Sequence, residues 1–190
     1  MSGRLVATAL AATIAASAFV GALAARAGEP EAGWELAASM SQRRSYIAAA
    51  ELDGAVYAAG GMVGETGRPL PTLARLDVAA NRWSALRPLP EPTRAAAAVS
   101  MGGELYVLGG TTARGNTAAV WSYRPETGAW RARAPLPAPR FNHEAVALAD
   151  RIYVLGGYLG GRERDEIYVY DSSADRWSPG GRLPEANHAF

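Results

Sequence analysis

Cysteine and lysine are both absent from this chain of 190 residues, and histidine occurs only twice. The lack of cysteine excludes disulfides, thiolate nucleophiles and cysteine-ligated zinc. The lack of lysine excludes a phosphate-loop lysine and Schiff-base catalysis, because all 19 basic residues are arginine. Composition alone therefore removes several classes of enzyme.

A strong net charge is also missing. The 19 basic and 18 acidic residues leave a formal charge of +1, so the chain lacks the basic footprint of a nucleic-acid-binding protein. A hydrophobic content of 49% is enough to bury a core, and the length suggests one domain. The 21 glycines and 12 prolines are spread along the chain, which favours an all-β protein with many turns.

The N-terminus has the pattern of a secretory signal peptide. Arg4 precedes an uncharged run over residues 5–25, and Ala25-Arg26-Ala27 offers a small-x-small cleavage site. We expect residues 1–27 to be a signal peptide, with an uncleaved membrane anchor formed by residues 5–25 as the alternative. Either interpretation predicts an exported protein, periplasmic or extracellular, with no other membrane contact.

The rest of the chain repeats with a period of 47 to 49 residues. Tryptophan recurs at this spacing, at Trp34, Trp83, Trp130 and Trp177. Glycine pairs recur with it, at Gly60-Gly61, Gly109-Gly110 and Gly156-Gly157. A tyrosine stands three residues before each pair, at Tyr57, Tyr106 and Tyr153. Seven residues before the last three tryptophans stand Leu76, Tyr123 and Tyr170.

Each unit has the pattern of four short strands. In the third unit they are expected at His143–Leu148, Arg151–Leu155, Glu166–Tyr170 and from Trp177 onward. Strand-like runs broken by Gly, Pro, Asp and Asn indicate antiparallel meanders. The repeated Gly, Tyr and Trp residues are best explained as architecture, since Gly supplies turns and close backbone approach and the aromatic residues supply buried area.

The run Tyr153-Val154-Leu155-Gly156-Gly157, followed by Tyr170-Asp171 and then Trp177, closely resembles the Kelch repeat. The resemblance covers about residues 34–190 and implies a β-propeller, here of the exported bacterial type. We expect residues 28–190 to form a partial propeller, with an orphan strand at 34–38, blades at 44–86, 94–133 and 140–180, and a truncated blade from 182. Propellers contain about four to eight blades. The missing blades would therefore come from a longer chain, from a partner or from self-association.

An arginine opens each unit, at Arg44, Arg94 and Arg140. The Kelch resemblance implies that this position contributes to the rim where ligands dock, so the three guanidiniums are predicted to bind a carboxylate. The alternative is that each arginine pairs with a nearby acid such as Asp53, Asp150 or Glu144.

Two Asn-His pairs are expected at equivalent positions near the same rim, where the other repeats have Ile47 and Ala97. They are Asn142-His143 and Asn187-His188. With Glu144 the histidines could hold a metal, but polar residues at a strand entrance are the simpler interpretation. We therefore expect neither a metal nor a cofactor.

Three functional classes fit the pattern. The first, which we favour, is a non-catalytic binding or scaffolding module whose rim and loops hold another protein or an acidic sugar or peptide. The second is a carbohydrate-active Kelch enzyme, such as a sialic-acid mutarotase or epimerase. The third resembles galactose oxidase, whose copper site needs a Cys-crosslinked Tyr that a chain without cysteine cannot form.

Overall fold

The computed structural model describes residues 36–64 and 67–188. The expected signal segment, residues 1–27, and Trp34 lie outside the described residues. Residues 36–38, the described part of the strand expected at 34–38, form no strand. The described residues contain no helix long and apolar enough to cross a membrane.

Three antiparallel sheets, called blades 1 to 3, follow one another along the chain. Blade 1 consists of β1 (Ala48–Leu52), β2 (Ala55–Ala59), β3 (Leu73–Asp77) and β4 (Arg82–Leu86). Blade 2 consists of β5 (Ala97–Met101), β6 (Glu104–Leu108), β9 (Val120–Arg124) and β10 (Ala129–Arg133), with a small hairpin formed by β7 (Thr111–Thr112) and β8 (Gly115–Asn116). Blade 3 consists of β11 (Glu144–Leu148), β12 (Arg151–Leu155), β14 (Arg162–Asp171) and β15 (Arg176–Asn187), with the short β13 (Tyr158–Leu159) paired to β14. The prediction of an all-β fold made of four-stranded blades is confirmed.

Tight hairpins join the first two strands of each blade. Asp53 and Gly54, between β1 and β2, both have positive φ, 51° and 72°, as a two-residue turn between twisted strands requires. The register follows directly, with Leu52 opposite Ala55. The first strands of the three blades, β1, β5 and β11, lie side by side where the blades converge.

Each blade has a front face, turned toward the next blade in sequence, and a back face, turned toward the preceding one. The front of blade 1 packs on the back of blade 2 in a core that contains Ala48, Leu52, Tyr57, Ala59, Leu73, Leu105, Val107 and Tyr123. The front of blade 2 packs on the back of blade 3 in a core that contains Ala97, Val99, Met101, Tyr106, Leu108, Val120, Ala145, Ile152, Val154 and Tyr170. The stability of the fold therefore lies largely between blades.

Tryptophans of the outer strands tie each blade to the one before it. Trp130 donates its indole N–H to the carbonyl of Arg87, at 3.0 Å, and Trp177 donates to that of Ala134, at 2.9 Å. Both rings pack against the tyrosine seven residues earlier, with ring centroids 5.0 Å apart. The repeated tryptophans thus join neighbouring blades through the indole hydrogen bond, whereas the aromatic contact with tyrosine lies within their own blade.

The residues from 182 onward, expected to begin another blade, continue strand β15 along β14. Asn187 nevertheless accepts a hydrogen bond from Gly157 N–H at 2.8 Å, as Arg140 accepts one from Gly110 N–H. The last described residues therefore follow the path by which the chain approaches blade 3.

Candidate functional site

Three short lead-in segments, residues 44–47, 93–96 and 140–143, bring the chain to the first strand of each blade. Backbone hydrogen bonds define their correspondence: Gly61 N–H donates to Thr93 O, and Gly110 N–H donates to Arg140 O. A Cβ on Gly109 would lie 2.7 Å from the carbonyl oxygen of Arg140, and its φ of +60° also favours glycine. The glycine pairs therefore let the next lead-in approach the end of the second strand.

Two of the predicted rim arginines serve the blades themselves. Arg140 is only 1% exposed; its Nη1 donates to Gly156 O at 2.7 Å, and its guanidinium lies 4.8 Å from the centroid of the Tyr168 ring. Arg44 makes the same bond to Gly60 O, at 2.8 Å. Burial lowers the pKa of both guanidiniums. The guanidiniums of both arginines thus donate to backbone carbonyls, and Arg44 also donates to the Thr72 hydroxyl and to Met40 Sδ; neither forms an ion pair with Asp53, Asp150 or Glu144.

Arg94 does not belong to this column. In blade 2 the equivalent residue is Thr93, whose hydroxyl donates to Gly109 O at 3.3 Å. Each of these three bonds joins residues 16 apart, and Arg94 is one residue closer to its glycine pair. Its guanidinium instead reaches Met62 Sδ, at 3.1 Å. The structure therefore does not bring Arg44, Arg94 and Arg140 together as one ring of equivalent side chains.

His143 is buried between blades 2 and 3. It is 5% exposed, and it lies against both Gly109 and Gly157, because a Cβ on either would come within 3 Å of its side chain. Burial, aided by the charge of Arg140, lowers its pKa to about 3. His143 is therefore neutral at physiological pH and does not face the rim as a base or a ligand.

The two Asn-His pairs are not equivalent in the structure. Asn142 has a left-handed backbone, with φ of 48°, in a column that it shares with Tyr46 and Ala95. Asn187 instead corresponds to Arg140 by its bond to a glycine N–H. Among the described residues, no group of three acidic or histidine side chains could hold a metal ion. Glu144, whose pKa is raised by burial, accepts a hydrogen bond from the N–H of Ala145 at 3.2 Å.

A different set of side chains forms the edge at which the lead-ins meet the loops that follow the glycine pairs. In each blade one lead-in residue exchanges two backbone hydrogen bonds with one loop residue, at 2.8–3.3 Å. We call this set the rim; its residue pairs are Ser45 with Met62, Arg94 with Thr111, and Phe141 with Tyr158.

Aromatic side chains concentrate on the rim. Phe141 and Tyr158 pack edge to face with ring centroids 5.5 Å apart, and the His188 ring also contacts Tyr158, with centroids 5.1 Å apart. His188 Nδ1 lies 2.8 Å from Glu163 Oε1. Tyr46, next to Ser45, is 53% exposed and has φ of 54°, which is unusual for a bulky residue. The rim thus presents one arginine, an aromatic group and an exposed tyrosine.

The sequence contained a signal for this rim. Ser45, Arg94 and Phe141 lie at one fixed distance before their glycine pairs, and Met62, Thr111 and Tyr158 at one fixed distance after the same pairs. The predicted rim was based on the recurrence of arginine and not on this spacing. It therefore did not include Phe141, Tyr158 or Tyr46.

Blades of this kind, joined through their glycine pairs and tryptophans, define a β-propeller. The chain belongs to the Kelch-repeat family: the KLHDC2/KLHL20/DRC7 Kelch-repeats domain matches residues 46–187. The resemblance to the Kelch repeat, as distinct from the exported bacterial type, is thereby confirmed. In general terms, a domain of this family is a protein-binding or scaffolding module.

Known relatives share only part of their length with this chain. Kelch-like protein 35 of Mus musculus is 37% identical over 94 residues, which are 49% of this chain and 16% of the mouse protein. Kelch-like protein 33 of Homo sapiens is 35% identical over 94 residues, 49% of this chain and 17% of the human protein. The solved structure of YjhT superposes with a TM-score of 0.72 at 16% identity, covering 82% of this chain and 57% of that one. The chain spans less than a fifth of these curated relatives, and the likeness to YjhT concerns the fold.

Proposed function

We propose that the chain is a non-catalytic module of an exported Kelch protein and that it binds a partner protein, through an acidic segment, at the rim. The observation that carries this proposal is the rim itself. Arg94, Phe141 and Tyr158 occupy positions whose backbone is already satisfied by the lead-in pairing, so their side chains are not required for the connection between the blades.

The residue types support a protein partner. Arg and aromatic residues are the side chains that most often dominate binding energy at protein interfaces. Arg94 supplies a charge-assisted donor for a carboxylate, a bond of about 1.5–3 kcal/mol. Phe141 and Tyr158 supply rigid apolar area beside it. An acidic sugar would use the same arginine but much less of the aromatic surface.

Export rests on the sequence of residues 1–27 alone. Their basic start, apolar run and small-x-small site support a cleaved signal peptide. Sequencing the N-terminus of protein recovered from the periplasm or medium tests this part of the proposal separately. A start near Gly28 supports it, whereas retention of Met1 contradicts it.

Binding can be measured by fluorescence anisotropy with a labelled hexaglutamate peptide, and by calorimetry with N-acetylneuraminate. We expect Arg94→Ala to weaken peptide binding about ten-fold, because about 1.4 kcal/mol is a factor of ten. Tyr158→Ala should weaken the peptide more than the sugar.

Arg114→Ala is the matched control, since Arg114 is an exposed loop arginine whose ion-pair partner is Glu91. Its effect should be less than two-fold. Equal affinities for the parent, Arg94→Ala and Tyr158→Ala would show that the rim is not the binding site. A preference for the sugar that ignores Tyr158 would favour the carbohydrate alternative.

A further inference from the structure

The guanidinium of Arg94 is held by a sulfur atom. Its Nη1 donates to Met62 Sδ at 3.1 Å, so the contact joins the lead-in of blade 2 to the loop that follows the glycine pair of blade 1. Met62 is 2% exposed, and its sulfur therefore has little freedom to move. Arg94 is only partly buried, as a side chain that contacts a ligand at the rim must be.

The backbones of both residues are fixed independently of this contact. Met62 and Arg94 each exchange two backbone hydrogen bonds with their rim partners, at 2.8–3.0 Å. Beside them, Gly61 N–H donates to Thr93 O at 2.9 Å and ties the two chain segments together. The contact between sulfur and guanidinium therefore sets the position of the Arg94 side chain and is not needed to join the blades.

The sulfur holds this guanidinium without neutralising it, because a thioether is an uncharged and weak acceptor. Other arginines of the chain are paired with carboxylates: Arg114 with Glu91, Arg164 with Glu166 and Arg182 with Asp165. Within residues 36–64 and 67–188, no carboxylate forms an ion pair with Arg94. The charge of Arg94 is therefore fixed in place and available to a ligand.

Packing alone does not account for a methionine at this position. The residues equivalent to Met62 are Thr111 in blade 2 and Tyr158 in blade 3, which differ from it in size and polarity. Methionine occurs where the next lead-in carries Arg94, whereas threonine occurs where the next lead-in carries Phe141. The choice of residue thus follows the side chain of the next lead-in.

We propose that Met62 is a positioning residue of the rim, whose sulfur holds the Arg94 guanidinium where a carboxylate of the partner binds. The proposal rests on the function proposed above, in which Arg94 contacts an acidic segment. An arginine side chain loses rotamer freedom when a ligand immobilises it, and this loss weakens binding. A guanidinium that is held before the ligand arrives avoids part of that cost. The weak sulfur contact competes little with the charge-assisted bond to a carboxylate.

Side-chain order in the protein without ligand tests the contact directly. Met62→Leu keeps a similar volume but removes the sulfur, and swaps of this kind are tolerated best in cores. We expect the NMR order parameter of the Arg94 side chain to fall below about 0.6, the value of a flexible group. Met101→Leu is the matched control, because Met101 is buried in the core between blades 2 and 3. An order parameter that stays at the parent value in Met62→Leu would overturn the proposal.

Fluorescence anisotropy with the labelled hexaglutamate peptide tests the consequence for binding. We expect Met62→Leu to weaken binding about three-fold and Met101→Leu to leave it unchanged. In a protein that already carries Arg94→Ala, Met62→Leu should have no further effect, since Met62 acts through that arginine. Losses that simply add in the double variant would show that Met62 acts by itself and would refute the positioning role.

The same measurements separate this proposal from the proposed function. If Arg94→Ala and Tyr158→Ala both bind the peptide as tightly as the parent, the proposed function fails and the positioning role fails with it. If those two variants bind more weakly while Met62→Leu binds like the parent, only the positioning role is wrong.

Discussion

The two junctions inside this chain share one backbone plan but differ in what they bury. Between blades 1 and 2 the core residues are aliphatic or tyrosine, and the lead-in contributes Thr93 and Ala96. Between blades 2 and 3 the lead-in contributes a buried guanidinium and a buried imidazole, Arg140 and His143. The first lead-in position can therefore hold either a threonine or an arginine, provided that its side chain donates a hydrogen bond to the carbonyl of the first glycine of the pair.

Further charges lie beside the second junction. Arg133 donates to Glu104 Oε2 at 2.6 Å, and its guanidinium lies 5.8 Å from the centroid of the Tyr106 ring. Burial opposes ionisation of Glu104, but hydrogen bonds from Ser122, Arg133 and Arg124 outweigh it and lower its pKa. Across the junction, Asp175 of blade 3 accepts the N–H of Ala134 at 2.9 Å. This junction should consequently respond to pH and to polar substitutions far more than the first.

The largest expected difference between the junctions is at Arg140. Arg140→Ala removes a buried charge-assisted hydrogen bond, leaves Gly156 O without that donor and opens space beside Tyr168. We expect the free energy of unfolding to fall by about 2–4 kcal/mol. Urea unfolding at one fixed protein concentration is the measurement, because association shifts apparent stability.

Arg94→Ala and Arg140→Thr are the matched variants. Arg94 lies at the rim, so its loss should cost less than about 1 kcal/mol. Arg140→Thr introduces the residue that blade 2 uses and should recover part of the loss, since a threonine hydroxyl can donate to the glycine carbonyl. Equal costs for Arg94→Ala and Arg140→Ala would remove the distinction between rim and junction.

The next difference is pH dependence, which we assign to His143. Its pKa falls from 6.5 to about 3 on folding, so between these values the unfolded state binds more protons. Stability should therefore rise with pH across this window and fall on acidification, by about 2 kcal/mol between pH 7 and pH 5.

His143→Ile, which introduces the residue of blade 1, should abolish this part of the pH dependence. Glu144, with its raised pKa, contributes in the opposite direction but is present in both proteins, so the difference between them isolates the histidine. Parallel stability curves for the parent and His143→Ile would disprove the assignment.

The smallest expected effects are at Trp130 and Trp177, which the two junctions have in common. Trp130→Phe and Trp177→Phe each remove one indole hydrogen bond to the preceding blade. We expect each to cost about 1–2 kcal/mol, with similar values at the two junctions. A much larger loss for Trp177→Phe would mean that the polar groups of the second junction depend on its tryptophan.

The strands and their order could be predicted because the Gly, Tyr and Trp positions recur at nearly constant spacing. These residues act through backbone geometry and local packing, which the spacing determines. The predicted strand Arg151–Leu155 agrees with β12, while β14 begins at Arg162, earlier than the predicted Glu166. That extension pairs with β13 and with the end of β15. The first pairing turns on Gly160-Gly161, a two-residue hairpin signal that the strand prediction did not use, whereas the second pairing has no local sequence signal.

The candidate site was harder to predict because a residue's role depends on its register within the repeat. Arg94 and Arg140 are the same residue type, but Arg94 lies one residue closer to its glycine pair. This difference of one residue places Arg94 at the rim and Arg140 in the buried junction. The burial of His143 arises from contact with the preceding blade, which no pattern within its own repeat contains. Spacing to the glycine pair, rather than residue identity, was the informative quantity.

The bonds from glycine amides to the next lead-in have a consequence for motion. Gly61 N–H is held by Thr93 O and Gly110 N–H by Arg140 O, so each amide becomes available to solvent only when its own pair of blades separates. Hydrogen–deuterium exchange at these two glycines would therefore report the opening of each junction individually, and acidification from neutral pH should accelerate exchange at Gly110 before it affects Gly61, once intrinsic rates are taken into account.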